Sequence, residues 1–415
     1  MALTSAEPAF TCRFCGASRH SLVVDLGEQV PANAYVSANM VDQPERHYPL
    51  RAVVCHDCWL VQLDYVVPPE TIFRDYVYLS SYSPSWVAHA GRFVESAVRR
   101  FGLGADNLVL EIASNDGYLL KHVVERGIPC LGVEPAENVA ALARASGIPT
   151  ETGFFNRSMA ERLRTHGALA DLIVANNVLA HVPCPGALVS GLPEVLSPEG
   201  VVSIEVPHLQ RLLEGAEFDT IYHEHYSYFS LSFIRRLFQA HGLRVFDVEH
   251  LVTHGGSLRV YACHMTAGHP TSSAVDKTLA AERTAGIERA ATYSSFDSNV
   301  HRIRDDLLAF IRDVRRNGKS VVGYGAAAKG NTLINYCGLG PSDIDYVVDQ
   351  NPLKQGHLLP QSRIPILAPD QLARTRPDFV LILPWNLREE IVQSMSHIRE
   401  WGGRFVVAVP KLELI

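Results

Sequence analysis

A chain of 415 residues with a formal charge of -7 holds two to four domains, at roughly 100–200 residues per domain. Hydrophobic residues at 47% and charged residues at 20% exclude a disordered chain, and 37 Lys+Arg against 44 Asp+Glu argue against a protein built around a nucleic-acid backbone. No apolar window reaches the about 18 residues that a membrane helix needs, and Met1–Phe10 lacks the basic-then-apolar layout of a secretory signal. A cytoplasmic protein without membrane or nucleic-acid partners is expected.

Four of the eight cysteines form two knuckles, Cys12 and Cys15 in TCRFCG, then Cys55 and Cys58 in VCHDCW. A two-residue gap turns both thiolates of a knuckle toward one cation, so the doubled pair predicts a tetrahedral zinc site. Four protein ligands leave no position for substrate, which makes the zinc structural. A CxxC redox pair and plain burial are the competing readings. Cys130, Cys184, Cys263 and Cys337 lie in or beside apolar runs and are expected to be buried.

A Tyr/Ser-rich stretch, Asp75 to Trp86, marks a passage between domains, and VAHAGRFVESAVRRFGLG then has the spacing of an amphipathic helix ending at glycines. Strand-turn-helix units follow at NLVLEIASNDGYLL, CLGVEP, LIVANN and VVSIEV, the pattern of a parallel sheet covered on both faces. LRVFDVEH and LRVYACHM read as two more strands, the second able to close the sheet antiparallel.

Such sheets bind ligands at the carboxyl ends of their strands. Here those ends carry Glu111, Ala113, Asn115, Asp116 and Gly117, then Glu134 and Pro135, then Asn176 and Asn177. An acid ending the second strand suits the two hydroxyls of a ribose, so a nucleoside cofactor is implied. The turn lacks GxGxxG, and Asp116 would repel a pyrophosphate but suits the cationic end of S-adenosylmethionine.

The densest chemistry is FDTIYHEHYSYF, where residues 222–229 hold two histidines, one glutamate and three tyrosines. A metal held by His223 and His225 is one reading, and simple packing another. A third is acid/base catalysis, in which a histidine whose pKa lies near neutrality removes a proton beside a ketone and phenols steady the enolate oxygen. His181, in ANNVLAHVP, falls on the same rim.

In their order along nearly the whole chain, the paired CxxC, LEIASNDGYLL, GVEPAENVA, ANNVLAHVP, FDTIYHEHYSYFS, HGGSLR and GYGAAAKGN resemble the nucleotide-sugar C-methyltransferases of antibiotic deoxysugar pathways. The resemblance implies an α/β protein with a small zinc-binding N-terminal domain, a central class I methyltransferase domain and a C-terminal Rossmann-like domain. It also implies S-adenosylmethionine as methyl donor and a dTDP-linked 4-keto-deoxyhexose methylated at carbon 3. Carried over by position, the base is His225, with Tyr222 and Glu224 beside it, His181 on the rim and Tyr76 donated from the first domain's edge. Ala113 stands where methyltransferases of this class usually have glycine.

Residues 272–317 have helical period and read as a connector, after which SVVGYGAAAKGN opens a second strand-glycine-helix unit followed by the strands YVVDQNP, FVLILPWN and FVVAVPKL. Its turn, with Tyr324, Gly325, Lys329 and Asn331, is expected to offer N–H groups and charge to the diphosphate of a nucleotide sugar. Asp349 ends the next strand as a ribose-binding acid would, which keeps a nicotinamide cofactor open. His254 and Arg259 of HGGSLR and Tyr78 join the expected substrate contacts, Arg259 equally as a core partner. The domains are drawn at 1–75, 76–270 and 271–415. The alternatives are an NAD(P)-dependent sugar ketoreductase, a bifunctional enzyme, methylation at another carbon such as C5, or a noncatalytic zinc-bearing sensor. A monomer is consistent with the sequence.

Overall fold

The computed structural model describes residues 10–73 and 79–415. Tyr76 and Tyr78 lie outside the described residues. Three main sheets of four, seven and six strands organise the chain.

The seven-stranded sheet runs in the order Leu243–Leu251, Ser257–His264, Leu196–Pro207, Ala170–Asn176, Val109–Ile112, Cys130–Glu134, Thr150–Thr152. The last five pair in parallel. Ser257–His264 enters antiparallel between Leu196–Pro207 and Leu243–Leu251, as its place after a parallel series allows. Every residue of Val109–Ile112 is buried, because helices cover both faces and no alternation is needed. One covering helix, Pro84–Phe101, starts where the Ser83 side chain accepts from Trp86 N–H and stops at Gly102 in the left-handed region. It buries Ala90, Phe93, Val94 and Ala97 against this sheet.

The six-stranded sheet has the order Ile366–Leu367, Val347–Val348, Val321–Tyr324, Phe379–Ile382, Arg404–Val407, Glu413–Leu414, parallel except for its last pair. The connector is two helices, Ser273–Ala285 and Ala290–Arg316, broken at Gly286. The longer buries Tyr293, Phe296, Val300, Ile303, Leu307, Ile311 and Val314, a stripe of i, i+3, i+4 spacing. That stripe shares one core with Val24, Leu50 and Leu63 near the N-terminus and with Val321 and Leu381 near the C-terminus.

The four-stranded sheet is antiparallel, His20–Gln29, Tyr48–Cys55 and Val61–Leu63, with Ser227–Tyr228 as its fourth member. Its last strand therefore comes from the histidine-rich segment of the middle of the chain. A short pair, Val36–Ser37 with His357–Leu358, ties the N-terminal module to the C-terminal one. Of the four cysteines expected to be buried, Cys263 and Cys337 are, Cys130 is partly exposed and Cys184 is exposed. Cys184 sits on a surface turn, with its thiol toward the Arg13 carbonyl. No helix among the described residues is long and apolar enough to cross a membrane.

Candidate active site

The Sγ atoms of Cys12, Cys15, Cys55 and Cys58 lie within 4.8 Å of one another, with Cys12–Cys58 at 3.5 Å and Cys15–Cys55 at 3.6 Å. Four sulfurs at about 2.3 Å from one Zn²⁺ stand about 3.8 Å apart, so the cluster fits the ion. Gln62 Nε2 donates to Cys12 Sγ at 3.1 Å and the Asp57 N–H to Cys55 Sγ at 3.4 Å, the outer hydrogen bonds that thiolate ligands accept.

At the carboxyl edge of the central sheet the turn after Ile112 places Ala113, Asn115 and Gly117 at positive φ (53, 51 and 82°). Ala113 thus holds a left-handed backbone that glycine would take without a Cβ penalty. The turn is locked by Glu134, whose Oε2 accepts from Asn115 N–H at 3.0 Å and Oε1 from Ala136 N–H at 2.9 Å. Burial raises the Glu134 pKa, and these two N–H groups oppose the rise. Asn115 Oδ1 accepts from Ser80 N–H and Asp116 Oδ2 from Ser81 N–H, so the segment before Pro84 lies against the turn. Around it Glu111 Oε2, Asp116 Oδ1 and both side-chain atoms of Asn176 are buried without partners among the described residues. Orphaned acceptors and donors of this kind at strand ends fit the amine, hydroxyls and adenine of S-adenosylmethionine.

Above this edge stands the histidine-rich segment. Nδ1 of His225 lies 2.9 Å from the Thr220 carbonyl, which can only accept, so Nδ1 carries the proton and Nε2 is left basic. Nε2 in turn is 2.9 Å from the Tyr222 hydroxyl. The His181 ring stands 4.8 Å away, edge to face, on a backbone joined to this segment by the Tyr226 N–H to Ala180 carbonyl bond. Burial, with His181 beside it, holds the His225 pKa well below the usual imidazole range. Burial also lowers His181 to about 4. Tyr222, His225 and His181 are the only partly exposed members of the group, the neighbours of 222 and 225 being buried.

The structure separates the two histidines of YHEH. His223 turns away, its Nε2 3.3 Å from the Tyr48 and Pro49 carbonyls, which leaves no shared metal face with His225. Glu224 also turns to the N-terminal module, accepting from the Asn33 side chain at 3.1 Å and the Asn33 N–H at 3.3 Å. Although it precedes His225 in the sequence, its side chain faces the N-terminal module.

His254 reaches the same rim: it adopts φ 55°, its Nε2 is 3.3 Å from Asn177 Nδ2, and its ring meets Trp86 edge-on. Arg259 does not reach it. Its guanidinium is buried against Glu205 and the Phe93 ring, so the core reading holds and substrate contact is withdrawn. Tyr324 likewise belongs to the buried core that holds Tyr346, Ile382 and Phe405, and its hydroxyl accepts from Gln350, so it is a core residue and not a substrate contact.

The glycine turn of the C-terminal sheet is closed on itself. Gly325 N–H donates to the Val348 carbonyl, Ala326 N–H to Asp349 Oδ2 and Ala327 N–H to the Gly325 carbonyl. Asp349 Oδ1 accepts from Asn351 N–H, so both its oxygens brace backbone, as both oxygens of Glu134 do in the central sheet. Asn331 Nδ2 holds the Ala32 carbonyl. Lys329 is the charged side chain of this turn: Nζ is 2.8 Å from Asn386 Oδ1 and 4.5 Å from the Trp385 ring centre. Burial lowers its pKa, while the carboxylates of Asp219 and Glu217 act the other way.

Those two acids, Trp385 and Asn386 escaped sequence reasoning. Asp219 stands in the quoted FDTIYHEH motif and Trp385 in the segment FVLILPWN, just past the strand Phe379–Ile382, but no spacing rule joins residues this far apart. Burial raises Asp219 to about 6 and Glu217 to about 7, against the pull of Lys329. Gly255, at φ 91°, lets them approach, since a Cβ there would sit 2.4 Å from Glu217 Oε1 and 2.7 Å from Trp385.

Three family models match the chain: a zinc binding domain over residues 12–73, a methyltransferase domain over 86–248 and a C-methyltransferase C-terminal domain over 252–410. Fold, strand-end turn and thiolate cluster together define an S-adenosylmethionine-dependent methyltransferase with an added zinc-binding module. The C-methyltransferase NovU of Streptomyces niveus is 39% identical over 409 residues, which span 99% of this chain and 97% of NovU. The chain belongs to that C-methyltransferase family. Among solved structures, the magnesium protoporphyrin IX methyltransferase of Synechocystis PCC 6803 with bound SAM is similar at 16% identity and TM-score 0.33, over 47% of this chain and 88% of that one. A methyltransferase complexed with the Haloferax volcanii Trm112 activator aligns at 14% identity and TM-score 0.34, over 43% of this chain and 96% of that one.

Proposed function

We propose that the protein transfers a methyl group from S-adenosylmethionine to carbon 3 of a dTDP-linked 4-keto-deoxyhexose, with His225 as the base. The observation that carries this reading is the fixed tautomer of His225: Nδ1–H is committed to the Thr220 carbonyl, and Nε2 is the acceptor, bonded to the Tyr222 hydroxyl. A neutral imidazole so held accepts the proton from the carbon next to the ketone, whose electrons move to the carbonyl oxygen as an enolate. Tyr222, whose hydroxyl must give up its bond to Nε2 for the base to act and can then donate to that oxygen, and the neutral His181 are the groups assigned to hold it. S-adenosylmethionine supplies an electrophilic methyl on a sulfonium, and the enolate carbon displaces it in line.

The carboxyl edge of the central sheet holds the donor through Glu134, Asn176 and the turn Ala113–Gly117, which leaves the cleft toward the C-terminal sheet for the sugar nucleotide. Lys329 is the cation that meets its anionic end. The chain's own net charge gives an anion no help, so local charge must do so. The NovU relationship favours carbon as the methylated atom. The deciding experiment incubates the protein and S-adenosylmethionine with a panel of dTDP-4-keto-deoxyhexoses. A mass gain of one methyl, with loss of the C3 proton signal by NMR, is expected; a methylated product that keeps the C3 proton would refute the site and the base together.

A further inference from the structure

The zinc-binding module and the histidine pair meet at one side chain. Arg13 sits between the two ligands of the first knuckle, and its guanidinium leaves the module altogether. Nε donates to the Pro183 carbonyl at 2.7 Å, one terminal nitrogen to the Leu63 carbonyl at 2.5 Å and the other to the Tyr226 carbonyl. Pro183 lies two residues after His181, and Tyr226 directly follows His225. The same fork therefore grips both histidine-bearing segments, which the Tyr226 N–H to Ala180 carbonyl bond joins to each other.

A second bridge runs alongside. Gln62 donates its side-chain amide to Cys12 Sγ and accepts the Arg13 N–H at 3.1 Å, while its backbone pairs with Ser227 in the four-stranded sheet. Both routes start at the first knuckle, whose backbone is held in its turn by the thiolate cluster.

We propose that Arg13 is a positioning residue for the His181–His225 pair, fixed in that role by the four-thiolate centre that frames it. The zinc site then supports the geometry of the base as well as the fold of the N-terminal module. Arginine suits the position because a planar fork with five fixed donors can serve three carbonyls at once, which an ammonium on a flexible stem cannot. The proposal rests on His225 being the base only for its effect on turnover; the positional claim stands on geometry.

The test uses the zinc-loaded full-length protein and R13M. The variant is expected to keep one zinc per chain and the parental affinity for S-adenosylmethionine. Its Tyr226 amide should exchange faster by about ten- to a hundred-fold, the effect of losing a hydrogen bond to a partly buried carbonyl. The ¹⁵N imidazole signals of His225 should shift, and kcat should fall about tenfold or more with the KM for methyl donor unchanged. R13M that keeps zinc, Tyr226 protection and the His225 signals of the parent would overturn the proposal. If exchange and imidazole signals change while H225N remains active, the base assignment fails and the positioning role stands. Should R13M lose its zinc, R13K gives the same two readouts, with intermediate protection expected and full parental protection overturning the claim.

Discussion

The indole N–H of Trp385 donates to Asp219 Oδ2 at 2.7 Å and so ties the C-terminal sheet to the loop that leads into Tyr222 and His225. Asp219 is fully buried, and a buried carboxylate that loses one donor is left with less to offset its desolvation, here Lys329 and nearby backbone N–H groups. Trp385→Phe keeps an aromatic face beneath Lys329 but removes that donor. A stability loss of about 1–3 kcal/mol is expected, read as a lower denaturation midpoint. On the proposed reading the contact lies on the acceptor side, so KM for the acceptor should rise while calorimetric affinity for S-adenosylmethionine stays put. Equal weakening of both ligands would mean that the contact supports the whole fold and not the acceptor side.

His225→Asn retains a polar group near Thr220 and removes the proposed base. Turnover should fall by about a hundredfold or more, the usual contribution of a positioned general base. Donor binding should change little, since the strand-end turn does not touch His225. Exchange of the acceptor's alpha proton with deuterated water, measured without methyl donor, should vanish with it. A variant that methylates poorly yet still exchanges that proton would place the base elsewhere.

The pH profile follows from the same site. Burial lowers the His225 pKa, so its neutral form persists to more acidic pH than an exposed imidazole's. Activity should therefore be level through the ordinary imidazole range near pH 6.5 and fall only as pH drops through the depressed value. A rate that halves near pH 6.5 under single-turnover conditions would contradict a buried neutral base.

Glu217 gives a stability signature of opposite sign. Its pKa is raised by burial to about 7, so between the unfolded value of about 4.5 and 7 the folded state holds the extra proton. Stability contributed by this group is present at low pH and is lost as pH rises through that window. Glu217→Gln should match the parent at pH 5 and exceed it by about 1–3 kcal/mol at pH 8. Urea titrations at both pH values measure the difference, and a constant offset would show that Glu217 does not titrate in the window.

What the sequence revealed was what local patterns encode. The CxxC knuckles, the run Val109–Ile112 ending in a turn, and the glycine stop at Gly102 each follow from neighbours a few residues apart, and each stands where spacing put it. The histidine segment was legible as chemistry but not as direction. Residues 223 and 224 look as reactive as 222 and 225, and only the N-terminal strands packed behind them turn their side chains away. Arg259 and Tyr324 failed as contacts for a related reason, since a charged or phenolic group near a glycine turn serves a core partner as readily as a ligand. Trp385 and Asp219 became partners only when two sheets came together, which no one-dimensional pattern records.

The four-stranded sheet closes with Ser227–Tyr228, although its other three strands are complete by Leu63. During synthesis the thiolate cluster can therefore be assembled long before the sheet beside it has an outer edge. Until residue 228 leaves the ribosome, Val61–Leu63 presents an unpaired row of backbone donors and acceptors to whatever strand is near. An isolated N-terminal fragment would keep its metal ligands but also that open edge, so expressing it alone invites self-association, whereas the whole chain carries its own capping strand.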